Sequence, residues 1–260
     1  MLQALDLHVS LNRQEILRGL DFTAHAGALT CIVGPNGSGK TTLLKALTGE
    51  LPYAGQVRLD GADLSRQRPE DLAQRRAVLP QSMPLAFPFT VLEIVRLGLT
   101  GATALSAQAA DLPRRALARV GLEGYEGRLF QQLSGGEQQR AHLARVLLQV
   151  WQPVVDGQPC WLFLDEPVAA LDIGHQLQVM RLAQDFARAG GGVVAVMHDL
   201  NLTALFADAV CLMQAGRVLA TGTPGAVFTD QTLSTAYGCA LKVSTPPPGG
   251  GVYILPQAAA

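Results

Sequence analysis

Gly34-Pro35-Asn36-Gly37-Ser38-Gly39-Lys40-Thr41 has the composition of a phosphate cradle. Glycines let backbone N–H groups turn toward phosphate oxygens with no Cβ in the way, and a helix starting directly afterwards offers its positive N-terminus to the same anion. The spacing assigns Lys40 to the β- and γ-phosphates and Thr41 to Mg²⁺, with Thr42 following in the same turn. A glycine-rich turn can match such a pattern by chance. The flanks argue against chance: the apolar run Leu29-Thr30-Cys31-Ile32-Val33 precedes the loop, and the helix-prone Thr42-Leu43-Leu44-Lys45-Ala46-Leu47 follows it.

Three further strand-like runs end on polar side chains suited to phosphate chemistry. Trp161-Leu162-Phe163-Leu164 ends at Asp165-Glu166, Gly192 to Met197 ends at His198, and Ala77-Val78-Leu79-Pro80 ends at Gln81. Solvated strand ends are often acidic, so one such run means little. Together with the glycine loop, they predict an open parallel sheet with its ligand at the C-terminal edge.

Leu133-Ser134-Gly135-Gly136-Glu137-Gln138-Gln139-Arg140 is the second motif, followed at helical spacing by Ala141, Ala144, Leu147 and Leu148. Ser134 with Glu137 three residues on is a capping box opening an amphipathic helix. A cap alone does not require the two intervening glycines. They allow a phosphate to approach the first-turn N–H groups, which makes this helix start a second candidate anion site.

Composition bounds the partners. The 260 residues carry 20 Lys and Arg against 21 Asp and Glu, with no long run of one sign, so the electrostatic argument for nucleic acid is absent. No apolar stretch has the length of a membrane span and the N-terminus lacks a basic signal-peptide head, which predicts a cytoplasmic chain. Cys31, Cys160, Cys211 and Cys239 show neither metal spacing nor a disulfide framework; the first three lie in or beside apolar runs, and buried free thiols are expected.

In this order and spacing, Gly34 to Thr41, Gln81, Leu133 to Arg140, Leu162 to Glu166 and His198 resemble the ATPase subunits of ABC transporters over essentially the whole chain. The resemblance implies a single ATPase domain over 1–260. Its α/β core, a P-loop NTPase (RecA-like) fold with an antiparallel β edge, would take 1–81 and 161–245. An inserted α-helical subdomain would span about 82–151 and carry the signature at 133–140, leaving 246–260 as a flexible tail. A head-to-tail homodimer is also implied, each ATP lying between the glycine loop of one subunit and Ser134, Gly135 and Gly136 of the other. Two transmembrane permease subunits and a periplasmic or surface substrate-binding protein would complete the complex at the cytoplasmic face of the cell membrane.

The same resemblance gives roles. Asp165 matches the carboxylate that orders the Mg²⁺ shell and Glu166 the base that polarises the attacking water. His198 matches the switch histidine at the γ-phosphate, and Gln81 the glutamine that touches Mg²⁺ and water and relays nucleotide state. Ala170-Leu171-Asp172 matches the loop that crosses the dimer interface, with Asp172 its communicating carboxylate. His8, His25, His142 and His175 match no such position, and surface or helix-face placement is expected for them. One departure concerns adenine: the position usually aromatic in this family falls on Leu11, which offers apolar contact without ring stacking.

Phe87-Pro88-Phe89-Thr90-Val91, His198-Asp199-Leu200-Asn201-Leu202 and Thr221-Gly222-Thr223-Pro224 resemble the group of importers for iron chelates, cobalamin and haem. With the insertion Val150 to Pro159, the likeness is greatest to the haem importers; ferric siderophore and cobalamin are the alternatives. Phe87 and Phe89 fit either core packing or an exposed patch docking a membrane helix. A soluble ABC protein acting on a non-membrane machine is the competing class, but it usually carries two cassettes or a long coiled-coil insertion, and neither is visible. A kinase or GTPase would not explain Ser134 to Arg140. In the tail, Pro246 to Gly251 reads as a linker, Val252-Tyr253-Ile254-Leu255 as a possible short strand, and Ala258 to Ala260 as a frayed end.

Overall fold

The computed structural model describes residues 1–81, 83, 87–100, 104–105, 109–246 and 248–258. Ala259, Ala260 and Pro247, part of the expected frayed end and linker, lie outside the described residues.

Two sheets share the core. Strands β1 (Leu2–Leu11), β2 (Gln14–Ala24), β4 (Ala54–Leu59) and β5 (Ala62–Asp63) form an antiparallel sheet in the order β2-β1-β4-β5. The second sheet contains β3 (Leu29–Val33), β6 (Arg76–Leu79), β9 (Trp161–Asp165), β10 (Gly192–Val196), β11 (Ala209–Gln214) and β12 (Arg217–Gly222) in the order β12-β11-β3-β10-β9-β6. All of its neighbours are parallel except the β11–β12 hairpin. The expected α/β class and antiparallel edge are therefore both present.

The parallel strands are apolar without alternation because both faces are covered. Cys31, Val193, Ala195, Leu162, Leu164 and Leu212 face the helices on one side. Ile32, Val194, Val196, Phe163, Trp161 and Met213 face the antiparallel sheet and helix α1 (Lys40–Leu47) on the other. At this second face Gly192 lets the Trp161 ring lie against the backbone, since a Cβ there would sit 2.4 Å from Trp161 Cε3.

Between β6 and β9 the chain leaves the sheet. After α2 (Pro69–Arg75), which precedes β6, come α3 (Val91–Arg96), α4 (Leu112–Arg119) and α5 (Gly135–Gln149), which pack on one another, with α5 also lying on β6. Thr90 with Glu93 and Ser134 with Glu137 close complete capping boxes at the starts of α3 and α5. At the far end of α5, Gln149 Nε2 donates to the carbonyls of Ala73 and Arg76 (2.9 and 3.0 Å), tying the helix to the root of β6. The insertion before β9 folds as a two-stranded hairpin, β7 (Val154–Val155) and β8 (Gln158–Pro159), turned by Asp156 and Gly157, both of positive φ. Further along lie α6 (Ile173–Arg188), α7 (Leu200–Phe206), α8 (Pro224–Val227) and α9 (Asp230–Tyr237).

Several expectations need correction. Val252 to Leu255 forms no strand: positive φ at Gly250 and Gly251 turns the chain away from extended pairing. The 3-10 turn Pro256–Ala258 instead packs on α7, with Gln257 Nε2 donating to Asn201 O at 2.9 Å. Cys31, Cys160 and Cys211 are buried, but Cys239, just past the α9 cap, is exposed. His8, His25 and His175 are on or near the surface, whereas His142 is buried against the Phe130 ring, 4.8 Å between centroids. Burial pushes its imidazole down to about 4, so it behaves as a neutral core side chain.

Candidate active site

The glycine loop joins β3 to α1 and has the backbone that its composition demands. Gly34, Gly37 and Gly39 have φ of 149°, 76° and 99°. At Gly34 a Cβ would lie 2.2 Å from Met213 O, so the loop is threaded against β11 and no larger residue fits. At Gly37 a Cβ would meet nothing within 4 Å, and only the left-handed backbone excludes other residues. Ser38 N donates to Pro35 O at 3.2 Å, closing the turn, while Ser38 Oγ is buried without a hydrogen-bond partner. Such an atom is costly unless a ligand satisfies it.

Lys40 is 6% exposed and donates from Nζ to Gly34 O (2.9 Å) and Pro35 O (3.1 Å). Burial lowers its pKa, and the nearby Glu166 and Asp165 carboxylates oppose the shift. Thr41 Oγ1 donates to Asp165 Oδ1 at 3.1 Å. Asp165 is 2% exposed and its pKa is raised by desolvation, the hydroxyl of Thr41 acting the other way. A buried carboxylate paired only with a hydroxyl fits a hard cation. Among the described residues no group of three or more His, Cys, Asp or Glu forms an all-protein metal cage, so Mg²⁺ here would also need phosphate and water oxygens.

The next residue, Glu166, sits in the left-handed region at φ 51°, which swings its side chain out of the strand direction. Its Oε1 lies 2.6 Å from His198 Nε2, at the end of β10. Lys40, Thr41, Asp165, Glu166 and His198 therefore come together at the C-terminal edge of the parallel sheet. Gln81 is exposed, two residues beyond Leu79, which pairs with Leu164 two residues before Glu166.

Ser134, Gly135, Gly136 and Asp172 are not in this cluster. They line a separate cleft of about 430 Å³ whose walls include no residue of the glycine loop. Asp172 caps α6, accepting from His175 N at 2.9 Å, with His175 Nδ1 2.8 Å from Oδ2. These bonds, the backbone one foremost, hold its carboxyl below the usual range. Glu137, the other half of the α5 cap, also accepts from Tyr125 OH at 2.9 Å.

A profile of the family described as ABC transporter matches residues 17–169. A protein of Jannaschia sp. strain CCS1 named hemin import ATP-binding protein HmuV is 61% identical over 259 residues, covering 100% of this chain and 95% of that one. One of the same name from Roseobacter denitrificans is 58% identical over 258 residues, covering 99% and 98%. The chain belongs to the ABC transporter family. As an ABC ATPase it binds ATP and couples hydrolysis to transport. The fold agrees: the ATP-binding subunit of an ABC transporter matches at TM-score 0.75 and 23% identity over 92% of this chain and 94% of that one. A dimeric ATP-binding cassette in a post-hydrolysis state with ADP and Pi matches at TM-score 0.74 and 24% identity over 86% and 99%.

Sequence reasoning passed over some residues of this ABC ATPase that shape the site. Leu17 Cδ2 would lie 2.9 Å from a Cβ at Gly39, so β2 buttresses the loop from a distant part of the chain. Gln139 gave no signal beyond its place in the motif, yet it bonds the backbone of Glu166. Leu11 ends β1 beside a two-residue turn at Asn12 and Arg13 and is 36% exposed. If it is the base platform, Leu11→Tyr adds a stacking surface worth roughly 1–3 kcal/mol. Titration with a fluorescent ATP analogue should then show tighter binding in the variant; unchanged affinity would remove Leu11 from the adenine site.

Proposed function

We propose that this chain is the ATP-hydrolysing subunit of a haem importer, held at the cytoplasmic face of the membrane by two permease subunits. The observation that carries the reading is full-length identity to proteins named for hemin import, on a chain that preserves the loop, carboxylate and signature residues together. Among the described residues no helix is long and apolar enough to cross a membrane, which fits attachment through partners. The exposed Phe87 ring, set edge-on to the half-buried Phe89 at 6.4 Å between centroids, offers one apolar contact for them. In this reading 1–81 and 161–245 form the core, about 82–151 the helical subdomain, and 246–260 a tail.

The separation of the two clefts within one protomer supports the head-to-tail dimer. One subunit supplies Gly34 to Thr42, Leu11, Asp165, Glu166, His198 and Gln81 to an ATP; its partner supplies the equivalents of Ser134, Gly135, Gly136 and Asp172 to the opposite face. The N–H groups of the glycine loop and Lys40 hold the phosphates. Thr41, Asp165 and Gln81 would hold Mg²⁺, which would supply charge neutralisation at the phosphate oxygens. Glu166 accepts a proton from the attacking water, and His198 fixes the carboxylate and contacts the γ-phosphate. Closure on two ATP molecules drives the permease from one access state to the other; hydrolysis reopens the dimer.

The test is the ATPase rate of the complex reconstituted in lipid with its binding protein loaded with haem, with a ferric siderophore, with cobalamin, or empty. Haem-specific stimulation is expected. Stimulation by one of the others alone would replace the cargo, and absence of any membrane partner would return the chain to a soluble role.

A further inference from the structure

We propose that Gln139 is a positioning residue that couples the two nucleotide sites of the dimer, an inference that rests on the head-to-tail reading above. Gln139 stands in the second turn of α5, and its side chain reaches the loop after β9. Its Nε2 donates to Glu166 O at 2.9 Å, and its Oε1 accepts from Ala170 N at 3.4 Å. One carboxamide therefore spans the segment from the base to the crossing loop.

The two ends of that bridge are both sensitive to position. Glu166 holds a left-handed backbone, a conformation that persists only where its surroundings fix it. The fixing contacts are Glu166 N to Val196 O at 3.2 Å, Ala169 N to Glu166 O at 3.3 Å, and the Gln139 amide. Of these, the Gln139 bond alone comes from the helical layer. At the other end, Gly136 lies so close to the crossing loop that a Cβ would sit 3.0 Å from Ala170 O and 3.3 Å from Leu171 Cδ2. The first turn of α5 thus lies directly against the crossing loop at Gly136, and the Gln139 side chain extends that contact to Glu166.

In the dimer, the start of α5 serves the partner's ATP while Glu166 serves the ATP of its own subunit. A shift of Ser134 to Gly136 onto the partner's γ-phosphate pulls on Gln139 and resets the carbonyl and rotamer of Glu166. Each site then primes the other. Allosteric coupling of this kind needs a physical link with a measurable readout, and the readout is cooperativity in ATP concentration.

The experiment compares the full-length chain with Gln139→Ala and Gln139→Glu. The second keeps side-chain volume and the acceptor for Ala170 N–H but turns an oxygen, not a donor, toward Glu166 O. Wild type should hydrolyse ATP with a Hill coefficient approaching about 2, the number of sites. Both variants should fall to about 1, with kcat lower by about tenfold and monomer affinity for ATP within about twofold of wild type. A general loss of stability would not flatten cooperativity while sparing affinity. Wild-type Hill coefficients in both variants would overturn the proposal, as would a hyperbolic wild type. Failure of the dimer reading shows separately: Glu166→Gln with ATP would then stay monomeric on size-exclusion chromatography, and the coupling would fall with it.

Discussion

Glu166→Gln will bind MgATP, accumulate as a closed dimer and turn over at no more than about one-hundredth of the wild-type rate. A positioned general base contributes typically 10²–10⁴-fold, and a carboxamide of the same shape cannot take the proton. The substitution isolates that function because little else changes. Glutamine accepts the same left-handed backbone, leaves the backbone carbonyl that Gln139 bonds in place, and can still hydrogen-bond His198 Nε2, now 2.6 Å from the carboxylate. If hydrolysis reopens the dimer, a subunit that binds without hydrolysing must collect in the closed state. Single-turnover phosphate release and size-exclusion chromatography with ATP measure the two halves of the expectation. A variant retaining more than about a tenth of wild-type turnover would take the base away from Glu166.

Lys40→Ala fails earlier, at binding. The ammonium is buried, anchored on two carbonyls of its own loop, and set between that loop and the carboxylates of Asp165 and Glu166. In the proposed reading it is a preplaced cation for the phosphates. The only other lysines are Lys45 and Lys242, and neither occupies the loop. Truncating one partner of a buried, hydrogen-bonded charge pair costs about 2–5 kcal/mol, which is roughly 30- to 5,000-fold in affinity. Calorimetric titration with MgATP should show that loss while thermal unfolding shows a folded chain. A folded Lys40→Ala with wild-type affinity would dismiss the lysine from the phosphate site. The two variants thus separate holding ATP from cleaving it.

Much of the site was legible because its chemistry is written locally. The glycine loop needs left-handed backbone at set positions, and the cap of α5 needs Ser three residues before Glu; both patterns fall within a few residues. The apolar strands were legible for a similar reason, since runs without alternation signal sheets covered on both faces. What stayed hidden depends on distant neighbours. His142 reads as a polar position on an amphipathic helix until Phe130 closes over it. Gln139 carries no signal beyond its place in the motif, because nothing near it in the chain says that Glu166 will lie alongside. Val252 to Leu255 has strand composition but no partner, and composition cannot supply one. Asp156-Gly157 was a hairpin signal in plain view, hidden only because its flanking strands are two residues long. Nor could the sequence say that Phe87 would be exposed while the adjacent ring at Phe89 packs against the core.

The order of strands in the parallel sheet bears on how the chain is made. The strand that leads into the glycine loop, β3, is synthesised early, but both of its neighbours, β10 and β11, emerge near the end. Antiparallel pairing of β1 with β2 can form as soon as their shared turn is out. Leu29 to Val33 must instead wait, apolar and unpaired, through most of translation, and such waiting strands are exposed to aggregation. The ribosome-bound nascent chain is therefore expected to depend on chaperones over that interval, and truncations ending before β10 to collect in inclusion bodies even when their helices are intact.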